Sequence, residues 1–437
     1  MRLYEKANRM VSRRMARVSA LFCAGLVSFV PSHSALPRIA GLQSPRTVYL
    51  SGPPAYIASG DTDGDGVANI LVVEETHPAN LVSIRRNPPA EPVVSISDDL
   101  TALHAIAAGD FDEDGVTDLV VGGYPADAPL STDVRTVFSL YRGKGDGTFH
   151  EGVPGDGELG REAIAGNFNG DRHLDLATLS SRFPRNVTLL LGDGRGRLTR
   201  GASFPLPPGD PEQLAVCRLE GNRSDSVFVM ISGSSPERPP VVAGISPERG
   251  GQTLIALGSN GGDLAAADFD GDGRCDLAVA LSSPDRVSIF RGGAGGSFPL
   301  ASNTPLPSYP IAVAAGDLNA DGSTDLAVVV EAVFAKDDIP HPDSKQQSGS
   351  AIEQVGSRIV STSAPIPTYQ AHVLTSLGQF DFSVGPPLSL GASDVAIADF
   401  NDDGTDDLAV SRNTPYSVDF YLSHASRRHE LPARWPR

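Results

Sequence analysis

Asp268-Phe269-Asp270-Gly271-Asp272-Gly273-Arg274-Cys275-Asp276 lies between an apolar run that begins at Leu264 and a second one, Leu277-Ala278-Val279-Ala280. Asp268, Asp270, Asp272 and Asp276 take positions one, three, five and nine of a loop, and Arg274 at position seven can add its backbone carbonyl. A hard cation such as Ca²⁺ needs an oxygen cage of this kind, with six to eight oxygens at about 2.3–2.6 Å. Four carboxylates this close in sequence repel one another without a cation, and Gly273 at position six permits the sharp turn that aims them inward.

The first half of the pattern matches an EF-hand loop, but position twelve is Val279 rather than Glu. The flank Leu-Ala-Val-Ala, like Leu-Val-Val-Gly and Leu-Ala-Val-Val after related loops, reads as a buried strand rather than a helical face. The expected unit is therefore strand, cage, strand.

The cage recurs along the chain. Asp61, Asp63, Asp65 and Asn69 form the first copy, and Asp110, Asp112, Asp114 and Asp118 the second. Asn167, Asn169, Asp171 and Asp175 form the third, with only two charged ligands. The fifth is the stretch above, the sixth is Asp317, Asn319, Asp321 and Asp325, and the seventh is Asp399, Asn401, Asp403 and Asp407. A fourth copy is expected near 218 and is lost: Arg218, Glu220, Asn222, Ser224 and Ser226 hold the ligand positions, with Asp225 one residue out of register. That unit is expected to keep its shape without metal, so Asn222→Ala should cost no more than about 0.5 kcal/mol. Ligand charge ranks the other sites: loops two and five first, loops one, six and seven next, loop three last.

First ligand positions at 61, 110, 167, 218, 268, 317 and 399 give steps of 49, 57, 51, 50, 49 and 82 residues. After each cage come an apolar strand and often a Gly-rich turn with an aromatic, as in Phe138 to Phe149 and Val287 to Phe298, which read as hairpins. Four strands per unit, A to D, at this period make a propeller blade. The expected fold is all-β, a seven-bladed β-propeller of four-stranded blades. Its last unit ends on a C-like segment, Val418 to Leu422, and Thr47-Val48-Tyr49-Leu50 is available to supply the missing D strand, so the N-terminal strand is expected to close the ring. The long sixth step holds an insertion, about 335–368, of loop composition, joining B to C.

Residues 1–35 have the make-up of an export signal: Arg2, Lys6, Arg9, Arg13, Arg14 and Arg17, then the apolar run Val18 to Val30 and small residues to Ala35. Ser12-Arg13-Arg14 partly resembles a twin-arginine signal, but Ala16 stands where a bulky apolar residue is usual, so the general secretory route is expected. The run of 13 residues is short of the roughly 20 that a helical span needs, so no membrane span is expected after cleavage. Residues 36–427 are assigned to the propeller and 428–437 to a tail. The formal charge of −18 becomes −23 without the signal, which argues against nucleic acid as a partner. Cys23 leaves with the signal, and Cys217 and Cys275, at different loop positions of neighbouring units, are expected as buried free thiols, with pairing as the alternative.

The pattern Asp-x-[Asp/Asn]-x-Asp-Gly-x-x-Asp-Leu-Ala-Val, with Phe269 between the first two acids of the fifth loop, resembles the FG-GAP or VCBS repeats of integrin-α-like seven-bladed propellers. The likeness covers about residues 45–425, and the fourth repeat departs from it. It implies a secreted, periplasmic or cell-surface propeller, monomeric, with about six structural Ca²⁺ ions and a protein or glycan ligand on the face opposite the calcium loops. No Gly-x-Ser-x-Gly, His-Glu-x-x-His or Walker loop occurs, so no catalytic residue is assigned. His104 and His173 are given solvated or packed roles. A binding or adhesion module is the leading reading, with a propeller lectin as the alternative, disfavoured because Trp435 is the only Trp, and a polysaccharide-active enzyme on the same scaffold third. A glycan array and a reducing-sugar assay separate them.

Overall fold

The computed structural model divides into two units, Met1–Leu36 and Pro37–Arg437. The structure describes residues 42–74, 80–84, 100–125, 136–155, 157–160, 162–180, 184–331, 369–413 and 415–423. The signal, the 335–368 insertion and the 428–437 tail lie outside them.

Every described element is a strand, and the strands form seven antiparallel sheets in chain order. β1 (Arg46–Tyr49) precedes blade one, which is β2 (Pro54–Gly60), β3 (Asn69–Glu74) and β4 (Asn80–Ile84). Blade two is β5 (Leu100–Gly109), β6 (Asp118–Pro125), β7 (Val137–Tyr141) and β8 (Val153–Pro154); blade three is β9 (Ala163–Gly166), β10 (Asp175–Leu179), β11 (Asn186–Gly192) and β12 (Leu198–Pro205). Blade four is β13 (Asp210–Cys217), β14 (Ser226–Ser232), β15 (Val241–Ser246) and β16 (Gly251–Ala256). Blade five is β17 (Gly261–Ala267), β18 (Asp276–Leu281), β19 (Arg286–Phe290) and β20 (Leu300–Pro305). Blade six is β21 (Pro310–Gly316), β22 (Asp325–Glu331), β23 (Tyr369–Gly378) and β24 (Asp381–Leu390); blade seven is β25 (Ala392–Ala398), β26 (Asp407–Asn413) and β27 (Tyr416–Tyr421). Six sheets have four strands among the described residues; blade one has three there, and residues 85–99 after it are outside the description.

The A strands are Ala- and Gly-rich, as in Gly-Gly-Asp-Leu-Ala-Ala-Ala of β17, and small side chains let them crowd together. Each touches the next: β2 meets β5, β5 meets β9, and so on to β21 and β25, and β25 meets β2, which closes the ring. The B strands are covered on both faces by neighbouring blades and so carry unbroken apolar runs; all six residues of β18 are buried. The core is accordingly split into seven clusters, each shared by two adjacent blades. Two recurring aromatics bolt these seams. The residue at loop position two, such as Phe111, Phe168, Phe269 or Phe400, points into the next blade's cluster. The aromatic after the Gly-rich turn points into the preceding one, and Phe298 packs edge-on against Phe228 at 5.2 Å. Phe149 and Phe298 therefore end a narrow turn rather than lie within strand D, which begins later at Val153 and Leu300.

The closing strand is where the sequence placed it. β1 completes blade seven by pairing with β27, Arg46 opposite Phe420 and Tyr49 opposite Ser417. Thr47 Oγ1 donates to Asp419 Oδ1 at 2.6 Å, and the backbone of Gln43 and Leu50 extends the ladder at both ends. β22 and β23 are B and C of blade six, so the long connection joins B to C as expected.

The expectation of two free thiols is corrected: Cys217 and Cys275 form a disulfide, with Cα atoms 6.2 Å apart. Counted along their own loops they stand at positions zero and eight, and the ring brings just those two positions of neighbouring blades face to face. A Cβ on Gly109, at position zero of loop two, would come within 2.2 Å of Leu174 Cδ2, at position eight of loop three. Glycine there makes room for what the disulfide uses for a bond.

Candidate metal centre

Each A–B loop is wound by the same backbone device. Positions four and six are left-handed: Gly64 and Gly66, Glu113 and Gly115, Gly170 and Arg172, Gly271 and Gly273, Ala320 and Gly322, Asp402 and Gly404. Position six was legible as a glycine, whereas position four, held by Glu113, Ala320 and Asp402, was not. Arg172 in this conformation costs loop three about 1–2 kcal/mol, in addition to its two missing charges. Loop four keeps the turn at Gly221 but loses it at Arg223.

The position-one side chain accepts the backbone N–H groups that this winding turns inward. Asp268 takes Gly271 N at 2.8 Å, Asp272 N at 3.1 Å and Gly273 N at 2.7 Å, and Asp61, Asp110, Asn167, Asp317 and Asp399 do likewise. Position five bonds the N–H two residues on, as in Asp65 to Val67, Asp114 to Val116, Asp171 to His173, Asp321 to Ser323 and Asp403 to Thr405. Position nine is fully buried at Asp118, Asp175, Asp276, Asp325 and Asp407. Asp276 accepts Phe269 N at 3.0 Å and Gly292 N at 2.6 Å, which ties its loop to the exit of strand C. Asn69 does the corresponding work in loop one through Thr62 N and Oγ1. A residue read as a ligand is thus also the rivet of the blade.

In three loops the carboxylates converge: Asp61, Asp63 and Asp65; Asp110, Asp112 and Asp118; Asp268, Asp270 and Asp276, each trio with one oxygen per residue within 4.8 Å of the others. Ligands on opposite sides of one Ca²⁺ are about 5 Å apart, so each trio can share an ion. Asp114 and Asp272 stand outside their trios, although the sequence ranked them equally. Asn169 and Asn401 turn amide nitrogens to Asp171 Oδ2 and Asp407 Oδ1, at 2.6 and 3.0 Å, and Asn319 accepts Asp321 N. The donors are all oxygen, and Asp112 Oδ1 is buried with no hydrogen-bond partner. The residues fit a hard cation.

Burial lifts the carboxyls of Asp118 and Asp407 to about 6 and that of Asp325 to about 7. Unfolded, these groups titrate near 3.8, so between about pH 4 and 7 the folded chain holds protons that the unfolded chain has released, and their contribution to stability falls as pH rises. In chelator the melting temperature at pH 5 should therefore exceed that at pH 7.5. A chelated protein that melts higher at pH 7.5 would contradict this.

Loop four shows why it has no cage. Arg249, from the C–D turn of its own blade, donates to the Glu220 carbonyl and to Asn222 Oδ1, both at 2.8 Å, while Glu248 accepts Arg223 N at 2.7 Å. A guanidinium and a carboxylate of the C–D turn thus take up the groups of loop four at positions three, five and six. Asn222 also donates to Ser246 Oγ at 2.9 Å, so it is not an idle position. Asn222→Ala should cost about 1–2 kcal/mol in a urea melt, not the half expected from sequence, with calcium content unchanged. Asp225 is likewise no displaced ligand. At position eight it accepts Asn167 N at 2.8 Å and Arg218 Nε at 2.9 Å, stapling blade four to blade three. Thr324 to the Asp268 carbonyl and Asp317 N to Asp406 repeat that contact elsewhere. His173 pairs with Glu113 across loops two and three, and the His104 side chain lies outside the described residues.

Residues 249–328 match the FG-GAP-like repeat family. No curated protein sequence matches the chain. Among solved structures it resembles rhamnogalacturonan lyase YesW, at 12% identity and a TM-score of 0.50 over 87% of this chain and 76% of that one. It also resembles BBS1N, solved in complex with ARL6DN, at 10% identity and a TM-score of 0.52 over 89% and 98%. At these identities the likeness is one of fold alone.

Proposed function

From an FG-GAP repeat propeller, which its repeats and its ring of seven blades make this chain, we propose an exported module that binds calcium in its A–B loops and uses the stiffened disc to hold a protein or glycan. The observation that carries this reading is the convergence of three acidic trios in the A–B loops of three blades, built on positions one and three with position five in loop one and position nine in loops two and five. Bound calcium supplies positive charge where the fold has gathered carboxylates, and Asp61, Asp110 and Asp268 orient its loops through their backbone bonds. Ligation extends to loops three, six and seven through their Asp and Asn oxygens, while loop four is held by Arg249. The disulfide suits an oxidising compartment, as does the basic and apolar leader. The partner site of this reading is the face away from the cages, where no ligand position of the repeat lies.

Metal counting by native mass spectrometry, with and without EGTA, tests the calcium, and Asp270→Ala should remove one ion. A parent with no bound calcium would sink the reading. Capture of partners on the immobilised propeller, with glycan arrays and a reducing-sugar assay alongside, decides among binder, lectin and enzyme.

A further inference from the structure

In blades two and five the residue leaving strand C is an arginine shared between two structures. Arg291, just after β19, has Nε 2.9 Å from Asp270 Oδ2 and Nη2 2.9 Å from Asp272 Oδ2, so it spans positions three and five of the cage. Its guanidinium also lies 5.8 Å from the ring centre of Phe380, on the C–D hairpin of blade six. Arg142, just after β7 in blade two, repeats the arrangement at position three. Its Nε is 3.6 Å from Asp112 Oδ2, and its Nη2 donates to the Arg195 carbonyl at 2.8 Å, on the C–D hairpin of blade three. The equivalent positions in blades three, four, six and seven are Leu191, Ser246, Thr375 and Leu422, and Arg85 in blade one lies outside the described residues.

Loops two and five are the two with four carboxylates. Each strand-end guanidinium offsets one of the four ligand carboxylates, and in loop five Arg274 adds a second positive group, its Nη1 3.4 Å from Asp272 Oδ2. A cation entering either cage meets a fixed positive charge a few ångströms away and wants the oxygens that charge is holding. We propose that Arg142 and Arg291 set the calcium affinity of loops two and five by competing with the ion for the position-three carboxylate, Asp112 or Asp270, with Arg291 holding Asp272 at position five as well. Each then falls back on the hairpin of the next blade, which already holds its other side. Loops two and five consequently bind no more tightly than loops one, six and seven, and charge counting within the loop overrates them. The inference rests on the calcium reading above.

Isothermal titration of calcium into the EGTA-stripped, dialysed full chain tests it, with native mass spectrometry to count ions. Arg291→Met keeps most of the aliphatic stem and removes the charge; one class of site should tighten about tenfold, which is about 1.4 kcal/mol. Its release into a fluorescent chelator should slow correspondingly. Arg291→Lys should stay near the parent, and Arg286→Met, whose guanidinium bonds Pro284 O and Asn303 Oδ1 away from any cage, should leave the isotherm unchanged. Unchanged or weakened binding in Arg291→Met, with calcium still bound by the parent, overturns the competition alone. A parent that takes up no calcium overturns both readings at once. If Arg291→Met fails to fold, Arg142→Met carries the same test in blade two.

Discussion

Stripping calcium with EGTA is expected to lower the unfolding temperature by about 10 °C or more. A ligand at a hundred times its dissociation constant stabilises by about 2.7 kcal/mol per site, and several sites act on one cooperative ring. For domains of 150–250 residues about 1 kcal/mol moves the midpoint by 2–4 °C, and the shift per kcal/mol shrinks further in a larger chain, so a total of many kcal/mol is still a shift of many degrees. The loss has a clear location: three carboxylates within 4.8 Å of one another are left to repel, at the point where strand A turns into strand B. Calorimetry in 1 mM calcium and in chelator reads it directly. Superimposable melts would remove calcium from the architecture.

Deleting residues 36–51 is the second large effect. The cut removes β1 and with it the outer strand of blade seven, along with Val48 and Leu50 from the cluster between blades seven and one and Leu42 from that between six and seven. Burying such side chains is worth about 1.5–3 kcal/mol each, and the ladder adds about 0.5–1.5 kcal/mol per bond, so a loss of roughly 5 kcal/mol or more is expected. The exposed edge of β27 then offers unpaired backbone to another chain. Size-exclusion chromatography should show oligomers or aggregate, and a truncated protein that stays monomeric and melts with the parent would disprove the closure.

The fold was legible because the strongest signals were local and repeated. Six acidic loops at blade spacing, with a seventh place left vacant near 218, announced the A–B turns, and the unpaired Thr47 to Leu50 announced the seam. What was not legible depends on which loop faces which. Asp225 looked like a misplaced ligand until the ring set position eight against Asn167 of the blade before it, and Cys275 occupies that same position. Arg291 lies in a strand end 19 residues beyond Asp272, and nothing in that spacing tells of their contact. The burial of position nine was hidden for a different reason: Asp276 is written in the sequence as one more acid, and only the N–H groups of Phe269 and Gly292 make it a structural one.

The seam has a mechanical side. Because β1 and β27 run antiparallel, with Arg46 opposite Phe420 and Tyr49 opposite Ser417, the two ends of the propeller leave from the same end of the ladder. Tension between them peels the pairs apart in succession, like a zip, instead of shearing all of them at once, so the ring yields at its latch under little load. A pull on one end alone loads no such peel, and the Cys217–Cys275 link joins blades four and five, away from that latch in blade seven.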